Sequence, residues 1–478
     1  MAGDTKNSSP SSSAIRCVLS TQPELWATHG TSTSSTSPAT APRLSKPSVS
    51  HLSDSWASRA LRRFPGGSNG EFGVPPELLV VPERGSGARI WDTEGREFLD
   101  FTMAWGSALV GHAHPKVVEA ATTAARDGLN FASLNRRSIE LAERICSVSP
   151  CAERIRFVAS GTEATLLCLR VAHAATGRSK VLRFEGAYHG QHAVGVAGMI
   201  HSRPTNLPTC DTAGAGAPWT EQDVLVAPYN DLDGTTQILK AHASSLAAVI
   251  VEPLHRCLKP RPGFLEGLRE LTRQHGIVLI FDEVVTGFRL APGGAQEYYG
   301  VIPDLVAYGK ALGGGFPIGA FAGRAEIMEV LEEQRLPGPR YVWSASTTGG
   351  NPVSCAAALA TLDILLQPGV HTELHALGRR FRDGLQSVVQ NVGENAQILG
   401  DGPLGQVAFS RDPVTDHVSW LASDRARGGR LMLELLARGI FLNPMGTKLY
   451  LSLDHSESVL ARFMEAFAEA LQASATPR

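Results

Sequence analysis

Residues 276–320, GIVLIFDEVVTGFRLAPGGAQEYYGVIPDLVAYGKALGGGFPIGA, constrain the fold more than any other stretch of the chain. The unbroken apolar run from Ile277 to Phe281 has the length and branching of a strand buried on both faces, as in a parallel sheet. It ends on two acids, Asp282 and Glu283. A second short run, Leu305 to Ala307, ends at Tyr308-Gly309-Lys310 and passes straight into a glycine-rich turn. In open α/β sheets ligands sit at the carboxyl ends of the strands, so a carboxylate and an amine delivered from two such ends face one crevice. That pair suits a nitrogen heterocycle whose aldehyde is held by a lysine.

An acid pair after a strand also serves nucleotide-triphosphate sites. Those sites place glycines before a Gly-Lys pair that Ser or Thr follows, whereas here Ala311 follows Lys310 and the glycines come after it. An ordinary surface lysine is the plain alternative for Lys310 taken alone, so the motif needs support from the rest of the chain.

With 478 residues, 43% hydrophobic and 19% charged, the chain can bury a large core and build more than one domain. A formal net charge of -2 gives no general electrostatic reason to bind nucleic acid or an anionic membrane. The cysteines Cys17, Cys146, Cys151, Cys168, Cys210, Cys257 and Cys355 are scattered without CxxC spacing, which favours free thiols in a reducing compartment. His189 and His192 are near each other but lack a nearby third ligand, so no metal is expected. Residues 1–50 are rich in Ser, Thr, Pro and Ala and have no apolar periodicity, as a disordered extension would. With no secretory apolar core and no apolar run long enough to span a bilayer, a cytoplasmic location is expected.

Further candidates appear along the chain in the same strand-then-loop pattern. Residues 88–101 read as two strands around Thr93-Glu94-Gly95, and Trp105 follows in a small-residue loop where it either packs or lines a pocket. His112 and His114 read as structural. The strand pattern from Ile155 to Ala159 runs into Ser160-Gly161-Thr162-Glu163, with helical spacing from Thr165 to Ala174. Ser160, Gly161 and Thr162 can cup a phosphate on unpaired backbone N–H groups, and equally Ser160 can be a plain helix cap. Val181 to Phe184 leads to Tyr188, placed to lie against a ring, and Leu246 to Val251 ends at Glu252. Three strands thus close on polar loops before Asp282 is reached.

The segments SGTEATLLCLR, FEGAYHG, VIVEP, LIFDEVVTGFR, AYGKALGGGFPIGA and TTGGNP occur in the order found in the class III, fold-type I pyridoxal-phosphate aminotransferases. The chain resembles that family from about Pro65 to its C-terminus, most closely the glutamate-1-semialdehyde aminomutase branch. The resemblance implies an α/β fold with a large domain, a mostly parallel central sheet and a smaller C-terminal α/β domain. It divides the chain into the extension, a segment at 51–115 that joins the small domain and the active site, a large cofactor domain at 116–366 and the small domain at 367–478. It implies that Lys310 holds pyridoxal phosphate as a Schiff base and moves the proton, and that Asp282 pairs with the pyridine nitrogen. It further implies that Tyr188 stacks near the ring, with Ser160, Gly161 and Thr162 on the phosphate. Glu252 and Val284 then fall near the ring or its oxygen. Thr347 reaches the phosphate of a neighbouring subunit in a homodimer with shared sites.

Three departures fall on the substrate side. The aminomutases follow PGG with VNSPVR, but here Pro65-Gly66-Gly67 leads to Ser68-Asn69-Gly70-Glu71-Phe72-Gly73 without that arginine. Leu167 stands where their phosphate-site helix has a serine, and Asn443 to Tyr450 replaces their APSQFEAGF. Changed polar recognition groups alter what is accepted more than whether catalysis occurs. The expectation is therefore an aminotransferase acting between an amine or amino acid donor and a keto acid or aldehyde acceptor, with the aminomutase or a related isomerase as the alternative. Trp105 and Leu167 are expected to line an apolar substrate pocket. Arg289 and Arg411 are candidates for a substrate carboxylate, though both are expected at the surface.

Overall fold

The computed structural model describes residues 55–70, 73–199, 223–333, 340–443 and 446–475. The expected extension at residues 1–50 lies outside them. The first strands are β1 (Pro82–Ser86), β2 (Arg89–Asp92) and β3 (Glu97–Asp100). Through the middle of the chain follow β4 (Arg154–Val158), β5 (Lys180–Phe184), β6 (Val224–Ala227), β7 (Leu246–Val251), β8 (Val278–Asp282), β9 (Leu305–Tyr308) and β10 (Gly319–Gly323). The last are β11 (Gln397–Leu399), β12 (Leu404–Ala408), β13 (Ile440–Phe441) and β14 (Lys448–Tyr450).

Seven strands form the central sheet in the order β4-β10-β9-β8-β7-β5-β6. β10 runs antiparallel to both neighbours, and the remaining pairings are parallel. The apolar runs dictate this arrangement: every residue of β7 and β8 is buried, which requires cover on both faces. Alternation then assigns the faces. Val249, Val251, Leu279, Phe281, Val306 and Tyr308 join one core, while Ala248, Ile250, Val278, Ile280, Leu305 and Ala307 join the other.

Leu167 belongs to that second core, with Val158, Ile280 and Leu305. Its side chain is accounted for by packing of the helix Gly161–Thr176 against the sheet, and the expectation of a substrate contact there is replaced by a core position. The same helix starts four residues before the periodic stretch read from the sequence, because Ser160 caps it.

The segment before residue 115 and the C-terminal part share one core. β13 pairs in parallel with β3, through Ile440 with Leu99 and Phe441 with Asp100, so the two ends of the chain build one four-stranded sheet. Phe101 packs at 5.5 Å from Phe381 and 4.2 Å from Phe463, ring centre to ring centre. Among the described residues no single helix is long and apolar enough to cross a membrane; Pro352–Leu365 and Val370–Val392 reach that length only together, bent by 76°.

The turn after β8 hangs on Glu283. Its buried carboxylate accepts from Thr286 Oγ1 at 3.0 Å, from Gln296 N at 3.1 Å and Nε2 at 3.2 Å, and from Ala295 N. Burial pushes its pKa up to about 7 against the pull of these donors. A carboxyl raised on folding contributes stability that is complete below its unfolded pKa and is lost as pH rises through 7. Thermal melts from pH 5 to 7 should therefore show the protein losing stability, by on the order of 1–3 kcal/mol relative to Glu283→Gln and levelling off above pH 7, a component Glu283→Gln should not share.

Candidate active site

Asp282 ends β8, and Lys310 follows β9, the neighbouring strand. Both therefore emerge at the carboxyl edge of the sheet. One oxygen of the buried Asp282 carboxylate lies 2.7 Å from His189 Nδ1, and the other accepts from Val284 N at 3.1 Å. His189 is itself buried, and its Nε2 has no hydrogen-bond partner among the described residues. In the sequence His189 reads only as a possible metal ligand beside His192. The two histidines have separate work: His192 caps the short helix Ala193–Val196 by accepting from Gly195 N at 3.0 Å, and burial draws its pKa down to about 4.

Lys310 sits in the left-handed region, at φ 42°. Such a backbone in a non-glycine residue costs on the order of 1–3 kcal/mol and persists only where its surroundings fix it. The fixing contacts come from glycines. A Cβ at Gly309 would stand 3.3 Å from a Val284 methyl and 3.5 Å from the Gly161 backbone, and one at Gly161 would stand 2.9 Å from both Val284 methyls. Val284 is thus the wedge between the lysine turn and the start of the helix Gly161–Thr176. Burial lowers the pKa of Lys310, opposed by the charges of Tyr450, Asp282 and Glu252, and a lowered pKa brings the amine nearer its nucleophilic free-base form.

At the helix start, Ser160 Oγ accepts from Glu163 N at 3.2 Å, so Ser160 is a helix cap. Gly161 N and Thr162 N have no acceptor among the described residues. Two orphaned donors on the axis of a sixteen-residue helix fit a phosphate. Tyr188 is held from behind: its N–H donates to Glu252 at 2.9 Å, the other Glu252 oxygen accepts from Arg256 N at 3.1 Å, and the Arg256 guanidinium stands 6.0 Å from the Tyr188 ring. Burial would raise the pKa of Glu252, but Arg256, His255 and His189 outweigh it and hold the carboxyl well below the usual range. The donor set therefore matches a phosphorylated pyridine aldehyde: N–H groups for the phosphate, a carboxylate for the ring nitrogen and an amine for the aldehyde.

Trp105 belongs to a turn the sequence did not disclose. Met103, Ala104, Trp105 and Gly106 have φ of 46°, 50°, 58° and 82°, one left-handed helical turn. L-residues avoid this conformation, so it must be held from both ends. Asp100 accepts from Thr102 N at 2.7 Å and Met103 N at 2.9 Å, with His112 against its other oxygen at 2.6 Å. At the far end Arg289 donates to Gly106 O, and to Val285 O at 2.9 Å. A Cβ on Gly106 would lie 2.5 Å from the Tyr450 ring, so only glycine fits there. Trp105 itself remains 46% exposed on this pinned turn.

Arg289, expected at the surface, is fully buried, with its guanidinium 5.7 Å from the Tyr450 ring. Burial lowers its pKa to about 10, and no carboxylate pairs with it among the described residues. Arg411 is exposed. Thr347 is also exposed; its carbonyl accepts from Asn130 Nδ2 at 2.7 Å, and the preceding Ser346 donates to Glu163, in the first turn of the helix Gly161–Thr176, at 2.8 Å.

The profile of the class-III aminotransferases matches residues 73–471. A glutamate-1-semialdehyde 2,1-aminomutase from Thermomicrobium roseum is 41% identical over 417 residues, covering 85% of this chain and 95% of its own. An omega-transaminase from Sphaerobacter thermophilus superposes with a TM-score of 0.82 at 35% identity, covering 88% of this chain and 97% of that one. A transaminase solved with PLP bound gives a TM-score of 0.80 at 30% identity, covering 88% and 96%.

The His189 contact can be tested directly. His189→Leu leaves one side of a buried carboxylate unpaired, a loss of about 1–3 kcal/mol that corresponds to turnover reduced about 10- to 100-fold. Steady-state kinetics with saturating cofactor should show that drop, and an unchanged rate would remove His189 from the site.

Proposed function

The chain belongs to the class III aminotransferases and works with pyridoxal phosphate, and from the groups around Lys310 we propose that it moves an amino group from an amine or amino acid donor to a keto acid or aldehyde acceptor. The observation that carries this reading is the pairing of a complete cofactor side, Lys310 beside a histidine-held Asp282, with a substrate side that lacks the aminomutase groups. Where the aminomutases carry APSQFEAGF, this chain places β14 with Lys448 and Tyr450.

Pyridoxal phosphate supplies a ring that accepts the electron pair left when a proton departs from the carbon bearing the amino group. Asp282 favours the protonated ring nitrogen, and His189 keeps that carboxylate in place. The Gly161 and Thr162 N–H groups would hold the phosphate, and Tyr188, positioned through Glu252, would cover the ring. Lys310 would hold the aldehyde, and its amine, when free, would be the base that takes the proton from the donor carbon and the acid that gives it back.

We extend the proposal to a homodimer in which Thr347 serves the partner's phosphate site, and to a cytoplasmic enzyme. Support for the dimer comes from an exposed apolar group, Leu129, Phe131 and Leu134, in the loop that Asn130 ties to Thr347, with exposed Trp343 close by in sequence. The described cysteines are unpaired thiols, in keeping with a reducing compartment.

The 41% identity to an aminomutase favours a second reading, isomerisation of glutamate-1-semialdehyde within one molecule. Acceptor dependence separates the two. Product formation should require a keto acid or aldehyde, and Lys310→Ala should abolish it while the variant stays folded. Rapid isomerisation of the semialdehyde with no exchange of amino groups with external keto acids would overturn the transfer reading.

A further inference from the structure

We propose that Lys448 is the receptor for a substrate carboxylate, so that the donor this site is built for is an amino acid, with its apolar part toward Trp105, in preference to a plain amine. The proposal deepens the transfer reading above and rests on it for the identity of the reacting group.

The placement follows from β14. Residues two apart on a strand share a face, so Lys448 and Tyr450 project together, and the Lys448 ammonium stands 5.1 Å from the Tyr450 ring. Tyr450 N donates to Phe101 O at 2.8 Å, which fixes β14 beside the chain entering the left-handed turn. That turn, Met103–Gly106, packs against both β14 and the Lys310–Gly313 segment. Lys310, Trp105, Tyr450 and Lys448 therefore gather around one short stretch of backbone. Lys448 and Tyr450 both lie close enough to Lys310 to bear on its amine electrostatically, which agrees with that gathering.

Lys448 is half-buried and has no ion pair among the described residues. The nearby carboxylates are already engaged, Asp282 by His189 and Val284 N, and Glu252 by the backbone of Tyr188 and Arg256. A cation taken partly out of water is favourable only with a partner, and a carboxylate brought by the substrate supplies a charge-assisted hydrogen bond. The Tyr450 ring holds the ammonium in place meanwhile by a cation–π contact. Tyr450 is fixed in turn by Gly106, whose missing Cβ leaves the space its ring occupies.

The test uses holoenzyme and two donor pairs: β-phenylalanine and β-aminobutyrate, each with the amine in which a methyl replaces the carboxylate. The readout is kcat/KM for the acid divided by kcat/KM for its amine. Lys448→Met should lower that ratio about ten-fold or more for a pair that reacts, and Lys448→Arg should restore most of it. A ratio unchanged in Lys448→Met, with both donors reacting, overturns the proposal. Calorimetric titration of holoenzyme with phenylpropanoate, which has no amine to transfer, gives an independent measure: binding should weaken about ten-fold or more in Lys448→Met, and equal binding in wild type and variant overturns the assignment. Should neither pair react with the wild type, this titration alone decides Lys448, and the acceptor dependence described above decides the transfer reading separately. Lys448→Gln serves as the second neutral variant if Lys448→Met does not melt cooperatively.

Discussion

A carboxylate buried at the end of the strand β8 organises the site. The Asp282 side chain, taken out of water, must find hydrogen-bond partners, and it has His189 on one oxygen and Val284 N on the other. The histidine comes from the loop after β5, two positions across the sheet, so meeting it folds that loop over the strand ends. Tyr188 is carried along by the same loop, and Glu252, at the end of the strand between, fastens its N–H. Val284, whose N–H serves Asp282, also wedges against Gly161 and Gly309. One buried carboxylate therefore accounts for the placement of the Tyr188 loop, the start of the helix Gly161–Thr176 and Lys310.

The strained segments show what this arrangement costs. Lys310 and the run Met103 to Trp105 all adopt positive φ without being glycine. Both strained segments lie against the site, where packing from several elements over-determines them. Arg289 is the clearest instance: a fully buried guanidinium without an acid partner among the described residues, placed to receive the carbonyl of Gly106 and to stand by the Tyr450 ring. Its charge is stabilised by carbonyl dipoles and an aromatic face, and it holds the turn that presents Trp105.

The placement of the candidate site residues at the strand ends is legible in the sequence because they follow apolar strands whose ends sit side by side in a parallel sheet. Asp282, Lys310 and Glu252 are readable that way, and so is the helix start at Gly161. What is not legible depends on contacts between distant segments. Nothing local to His189 distinguishes a carboxylate partner from a metal ligand. An arginine in TGFR looks exposed until the turn at Met103 supplies a carbonyl for it. Leu167 reads as a pocket residue from its place in a motif, whereas the alternation of β8 and β9 fills that face of the sheet with core. β10, GAFAG, lacks the branched residues that mark a strand, and it is held by its neighbours β9 and β4.

Amino-group transfer at this site requires a lysine-bound cofactor that gives up and regains an amino group. The most direct measurement is the visible absorption of the purified protein during addition of an amino acid donor with no acceptor present, followed by addition of a keto acid. The expected result is a cofactor band that is lost with the donor and returns with the keto acid, both changes being absent in Lys310→Ala. A protein with no bindable cofactor, or a band that no donor alters while product accumulates, would contradict it.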